Sequence, residues 1–118
     1  MTVSMALAAV LTGSAPVQAA RPDLSFSGSD CPAQSLCLFR DPHFTGGGIA
    51  VKAGAEIADL GYYGFNDQMS SWSNDSGVVC IWWVHGLRQG DYHDMRRGYR
   101  VNVLPNEDNT ASAVACYI

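Results

Sequence analysis

Residues 65–72 read FNDQMSSW, and residues 108–113 read DNTASA. Each stretch sets two Asn or Asp side chains, two further residues and a Ser in the same order. Working outward, a shift of 44 residues lays Phe39 on Trp83, Gly46 on Gly90, Gly54 on Gly98, Ile57 on Val101 and Leu60 on Leu104. A two-residue deletion then lays Asn66 and Asp67 on Asp108 and Asn109, and Ser70 on Ser112. The chain reads as a duplication, with the two polar stretches at one place in each half.

Both halves are made of short β-forming runs. LCLF, GIAVKA, EIADL and SSWS fall in the first, and VVCIWWV, YHDM, YRVNVL and AVACYI in the second. Gly, Pro, Asn and Asp clusters bound these runs, and none carries a sustained helical period. Short strands with glycine-rich turns predict an all-β antiparallel sandwich. Two units, residues 34–76 and 77–118, would each form a Greek key too small to bury its sheet face alone. Packing one unit on the other closes the core, with Phe39, Phe44, Trp72, Trp82 and Trp83 supplying much of the buried area.

Residues 1–19 are apolar, Ala-rich and free of charge, and VQA places small residues where a signal peptidase reads. They are read as an export signal cut after Ala19, so the expected location is extracellular. The remaining chain suits one domain, residues 31–118, whose four cysteines fit two disulfides in an oxidising compartment. All charged residues follow the leader, and the net charge of −4 disfavours nucleic acid. No second apolar run suggests a membrane anchor, and a monomer is expected.

The spacing of Phe39, Phe44 and Gly46 resembles the aromatic-corner signature of βγ-crystallin Greek keys. In the second unit Trp83 and Gly90 keep their places, but Arg88 replaces the middle aromatic. NDQMSS matches the βγ-crystallin calcium motif of two Asn or Asp, two free positions, Ser or Thr, and Ser. DNTASA departs from it only at Ala113. CPAQSLC at 31–37, followed by an aromatic and a glycine run, is similar to the small secreted bacterial metalloproteinase inhibitors of peptidase inhibitor family thirty-six, which share that fold.

These resemblances imply a βγ-crystallin-like sandwich of two Greek-key motifs. They also imply a Cys31–Cys37 bridge, with Cys80 and Cys116 joined to each other. The inhibitory peptide bond of the family follows a cysteine on a disulfide-closed loop, and the matching bond here is Cys80–Ile81. Ile81 would enter the hydrophobic pocket of a thermolysin-type enzyme. A buried bridge with the Trp pair as core is the competing reading of the same residues.

Calcium takes six to eight oxygens, more than one short loop supplies. The resemblance implies that two loops meet, with candidate ligands Asn66, Asp67, Gln68 and Ser70 from one and Asp108, Asn109, Thr110 and Ser112 from the other. So few carboxylates predict affinity on the order of micromolar to millimolar. The competing reading is that Asn, Asp and Ser simply form turns.

His43, His85 and His93 lack metal-ligand spacing and read as exposed turn residues. No nucleophile elbow is present, and the pairing of His93 with Asp91 or Asp94 is a weak signal. An enzyme is not expected. The leading expectation is a secreted inhibitor whose partner is a peptidase. The alternatives are a calcium-binding structural or surface module and a toxin-like antimicrobial protein on the same fold.

Overall fold

A computed structural model describes residues 25–117. The expected export signal lies outside them. Nine strands run in chain order: β1 (Ser25–Phe26), β2 (Leu36–Asp41), β3 (Thr45–Val51), β4 (Glu56–Ile57), β5 (Ser71–Asn74), β6 (Cys80–His85), β7 (Gln89–Met95), β8 (Arg100–Asn102) and β9 (Ala113–Cys116). They form two antiparallel sheets, ordered β1-β3-β2-β5-β8 and β4-β9-β6-β7.

The sheets are not one per repeat. Each joins three strands of one repeat to the third strand of the other, so β8 sits on the first sheet, which β1 extends to five strands, and β4 sits on the second. The two Greek keys expected from the repeat, each too small to bury its sheet face alone, are thus joined by more than face-to-face packing. Exchange of the third strands interlocks them.

Period-two alternation explains the layers. Leu36 and Leu38 of β2 point into the central core with Ile49, Val51, Trp72, Trp82 and Val114. Cys37 and Phe39 point to the outer face, where Ala50, Phe26, Cys31 and Phe44 cover them. Both faces of β2 are therefore buried, and the LCLF run is apolar throughout rather than alternating. On the opposite sheet Trp83, Ala113 and Ala115 form a matching outer cluster with Ile81.

The turns repeat the duplication residue by residue. His43 and Phe44 are left-handed in the first β-hairpin, and Leu87 and Arg88 are left-handed in the second. Gly46 follows with φ +84°, and a Cβ there would lie 2.5 Å from Asp41 Oδ2, so the glycine is needed for both backbone and space. Each folded hairpin is pinned by the exchanged strand or its border. His43 N donates to Asn102 Oδ1 at 2.6 Å, and Leu87 N donates to the Ala58 carbonyl at 2.7 Å.

EIADL forms only a two-residue strand. Beyond Ile57 the chain turns into a 3₁₀ helix, Leu60–Tyr63, whose start is capped by Asp59 Oδ1 accepting from Gly61 N at 2.8 Å. β1 was not foreseen. Two residues are too few to show a period, and their pairing with β3 is a tertiary event.

Candidate functional site

The two polar stretches lie together at one end of the sandwich. The backbone joins them crosswise: Asp67 N donates to the Ala111 carbonyl at 2.8 Å, and Asn109 N donates to the Met69 carbonyl at 2.9 Å. Asp67 and Asn109 occupy equivalent repeat positions and both are left-handed, with φ +56° and +60°. Asn and Asp tolerate that region better than other side-chain-bearing residues, which accounts for their use at both places.

The side chains also cross. Ser70 Oγ donates to Asp108 Oδ1, and Ser112 Oγ donates to Asp67 Oδ1 at 3.2 Å. Both hydroxyl-bearing residues are buried and both carboxylate-bearing residues are exposed. Each pair thus unites a hydroxyl from one motif with a carboxylate from the other. Thr110 Oγ1 instead donates to the Glu107 carbonyl at 2.6 Å, closing its own loop. Gln68 is exposed on the first loop.

Ser71 and Ala113 explain the one departure in the motif. Ser71 Oγ accepts from Phe44 N at 3.0 Å and donates to the Asp41 carbonyl at 2.7 Å, so it fastens the first hairpin. At the equivalent place Ala113 has no hydroxyl to do so, while the pairing of Ser112 with Asp67 is retained. Loss of the last Ser therefore changes a hairpin tie rather than a polar pair.

Asn66, Asp67, Asn109, Thr110 and Ser112 border an open groove of about 700 Å³, and Asp59, Asp91 and Glu107 add carboxylates to its walls. Ser70 and Asp108 stand outside it. Among the described residues no group of three His, Cys, Asp or Glu side chains gathers to hold a metal. The donors at each crossed pair are carboxylate and hydroxyl oxygens, a set that suits a hard cation and offers nothing to a soft one.

The cysteines pair as the resemblance implies, Cys31 with Cys37 and Cys80 with Cys116. This geometry corrects the expected inhibitory contact. Cys80 and Ile81 sit in β6, an interior strand bonded to β7 on one side and β9 on the other. Cys80 is 0% exposed, and Ile81 packs against Trp83 and Ala115. With both edges paired, the Cys80–Ile81 bond has no free backbone to offer a peptidase. The buried cross-strand bridge is the arrangement found.

Histidine 93 also departs from the exposed-turn reading. Its ring stacks on Trp82 at 4.2 Å between centroids, and Nδ1 lies 3.3 Å from Glu107 Oε2. Sequence reasoning missed Asp59 and Glu107 at the groove because neither has an acidic counterpart in the other repeat, Asp59 falling on Val103 and Glu107 on Phe65. Spacing reveals paired motifs, whereas these two arrive only when the loops converge.

The family model for peptidase inhibitor family I36 matches residues 25–94. Among solved structures, one concerned with the evolution of the eye lens βγ-crystallin domain fold aligns with TM-score 0.64 and 20% identity, over 74% of this chain and 89% of the other. A βγ-crystallin from Ciona intestinalis aligns with TM-score 0.59 and 23% identity, over 70% and 98%. The N-terminal domain of protein S aligns with TM-score 0.59 and 20% identity, over 69% and 92%. No protein of curated function matches the sequence. The interlocked sandwich is a βγ-crystallin fold.

Proposed function

The chain belongs to peptidase inhibitor family I36, and we propose that it is a secreted inhibitor of metallopeptidases, acting as a monomer without catalysis of its own. The carrying observation is the family match. It spans the Cys31–Cys37 loop, the whole first Greek key and the β6–β7 hairpin. Two disulfides support an oxidising, extracellular setting. A rigid, doubly bridged sandwich also loses little conformational freedom on binding, as an inhibitor requires.

The test is titration of the oxidised protein against a thermolysin-class metallopeptidase, with serine peptidases in parallel and calcium held constant. Stoichiometric inhibition of the metallopeptidase is expected. Activity that persists at micromolar protein would sink this reading.

The crossed Ser–carboxylate pairs favour a second property, calcium binding. Asp67 with Ser112 and Asp108 with Ser70 would hold the ion, with Asn66, Gln68, Asn109 and Thr110 supplying or bracing further oxygens. Its role would be to tie the two motifs together at one end. At a calcium concentration about ten times Kd, linkage adds roughly 1.4 kcal/mol, several degrees in Tm for a domain this small. A Tm unchanged between chelator and excess calcium would refute the property. Asp67→Asn combined with Asp108→Asn is expected to abolish the shift.

A further inference from the structure

The duplication makes β3 and β7 the same strand of the two motifs, yet their surroundings differ. β3 is flanked by β2 on one side and β1 on the other, with Ser25 opposite Ile49 and Phe26 opposite Gly48. Five of its seven residues are buried. β7 is equally long, but it ends its sheet and pairs with β6 alone among the described residues. Only Met95 is buried. The first motif fills the seat beside this strand with the chain's own residues, and in the second no described residue fills it.

An unpaired edge presents a row of N–H and C=O groups that another strand can join. We propose that the free edge of β7, along Tyr92–Met95, is the docking strand for an extended edge segment of the inhibited peptidase. The segment would join antiparallel, as β1 joins β3. This inference rests on the inhibitor reading and gives it a surface in place of Cys80–Ile81. Peptidases hold substrates in extended form through backbone hydrogen bonds, and β7 offers such a backbone already fixed in place.

Preorganisation comes from both faces of the strand. On the inner face His93 stacks on Trp82, and Met95 is buried in the core. On the outer face Tyr92 lies opposite Trp83 in the ladder and is 63% exposed. A fixed strand with one exposed aromatic matches the usual anatomy of a binding hot spot.

Charge selects the occupant. β7 carries Asp91 and Asp94 and no Lys or Arg; Arg96 and Arg97 follow its last residue, whereas the groove at its hairpin end adds Asp59, Asp67 and Glu107, so carboxylates outnumber cations around the strand. This acidic rim complements a cleft made electropositive by a bound metal ion. A second copy fits poorly. Two β7 strands would set four carboxylates along one ladder, where like charges oppose pairing.

Hydrogen exchange of the oxidised protein, free and in complex with the thermolysin-class enzyme, tests the proposal. At least tenfold slowing is expected for amides within Tyr92–Met95, with β3 unchanged. Asp91→Lys combined with Asp94→Lys is expected to weaken inhibition tenfold or more while Tm is retained. Inhibition that survives both reversals, with β7 exchanging as in the free protein, overturns the docking strand and leaves the inhibitor reading standing. Absence of inhibition removes both. Protection of β7 that grows with concentration in the enzyme-free protein would assign the edge to a second copy and overturn the proposal.

Discussion

At position 88 the folded hairpin of the second motif carries Arg where the first carries Phe44. Phe44 meets Phe39 edge to face at 5.9 Å between centroids, and Arg88 places its guanidinium 5.9 Å from the Trp83 ring centre. The backbone conformation is conserved between the motifs, so a cation over an aromatic face replaces an aromatic pair. Arg88 also reaches Glu56 at 2.9 Å, but both side chains are well exposed and that ion pair adds little. Arg88→Ala is expected to lower stability by about 0.5–1 kcal/mol, the range of an exposed cation–π contact, as read from the denaturation midpoint. Arg88→Phe should recover most of it, because Phe44 already shows that Phe is accommodated in this left-handed position. A full loss in Arg88→Phe would mean that the Glu56 pair, rather than the ring contact, holds the hairpin. The sequence exposed Arg88 as an irregularity in the repeat. Its compensation was invisible, because it depends on the distance from a Trp five residues away around a folded turn.

The elements divide into those that local pattern reveals and those that only packing creates. β2, β5, β6 and β9 coincide with apolar or Ser-rich runs and lie close to where the runs place them. β4 shrinks because Asp59 caps the following helical turn, a local preference that outcompetes further pairing. β1 and the exchange of β4 with β8 have no local signature, since both are choices among partners far away in sequence. The same reason hid the fate of Cys80–Ile81. Nothing in VVCIWWV tells an interior strand from a presented one until β7 and β9 close on its two edges. The disulfides then differ in leverage. Cys31–Cys37 closes a loop at sequence separation 6 and Cys80–Cys116 one at 36. Loop closure predicts losses of about 2 and about 4 kcal/mol when each pair is replaced by Ser. Denaturant titration of the two double variants should keep that order. Equal losses would show that strain or residual structure in the unfolded chain, not loop length, sets the contribution of each bridge.

Exchange of the third strands makes a claim about the whole molecule. If each half were a sheet resting on its neighbour, one motif could open while the other stayed folded. Here β8 bonds to β5 at Ser71–Ser73, and β4 bonds to β9 at Val114–Ala115, so opening either half dismantles its own sheet and also takes an edge strand, β4 or β8, from the other. The loop crossings at Asp67, Asn109, Ser70 and Ser112 add ties at one end. One cooperative transition is therefore expected. The tryptophans are placed to check it, because Trp72 belongs to the first motif while Trp82 and Trp83 belong to the second. All three are buried. A Trp72→Phe variant reports the second motif by fluorescence, and a variant with Trp82→Phe and Trp83→Phe reports the first. Each variant lowers stability by its own amount, so each fluorescence curve must be compared with the far-ultraviolet circular dichroism of the same protein. Coincidence in both variants is the outcome that the interlocked topology requires. A fluorescence midpoint displaced from the dichroism midpoint in either one would mean that the motifs unfold separately, and that the exchanged strands follow one motif without coupling the two.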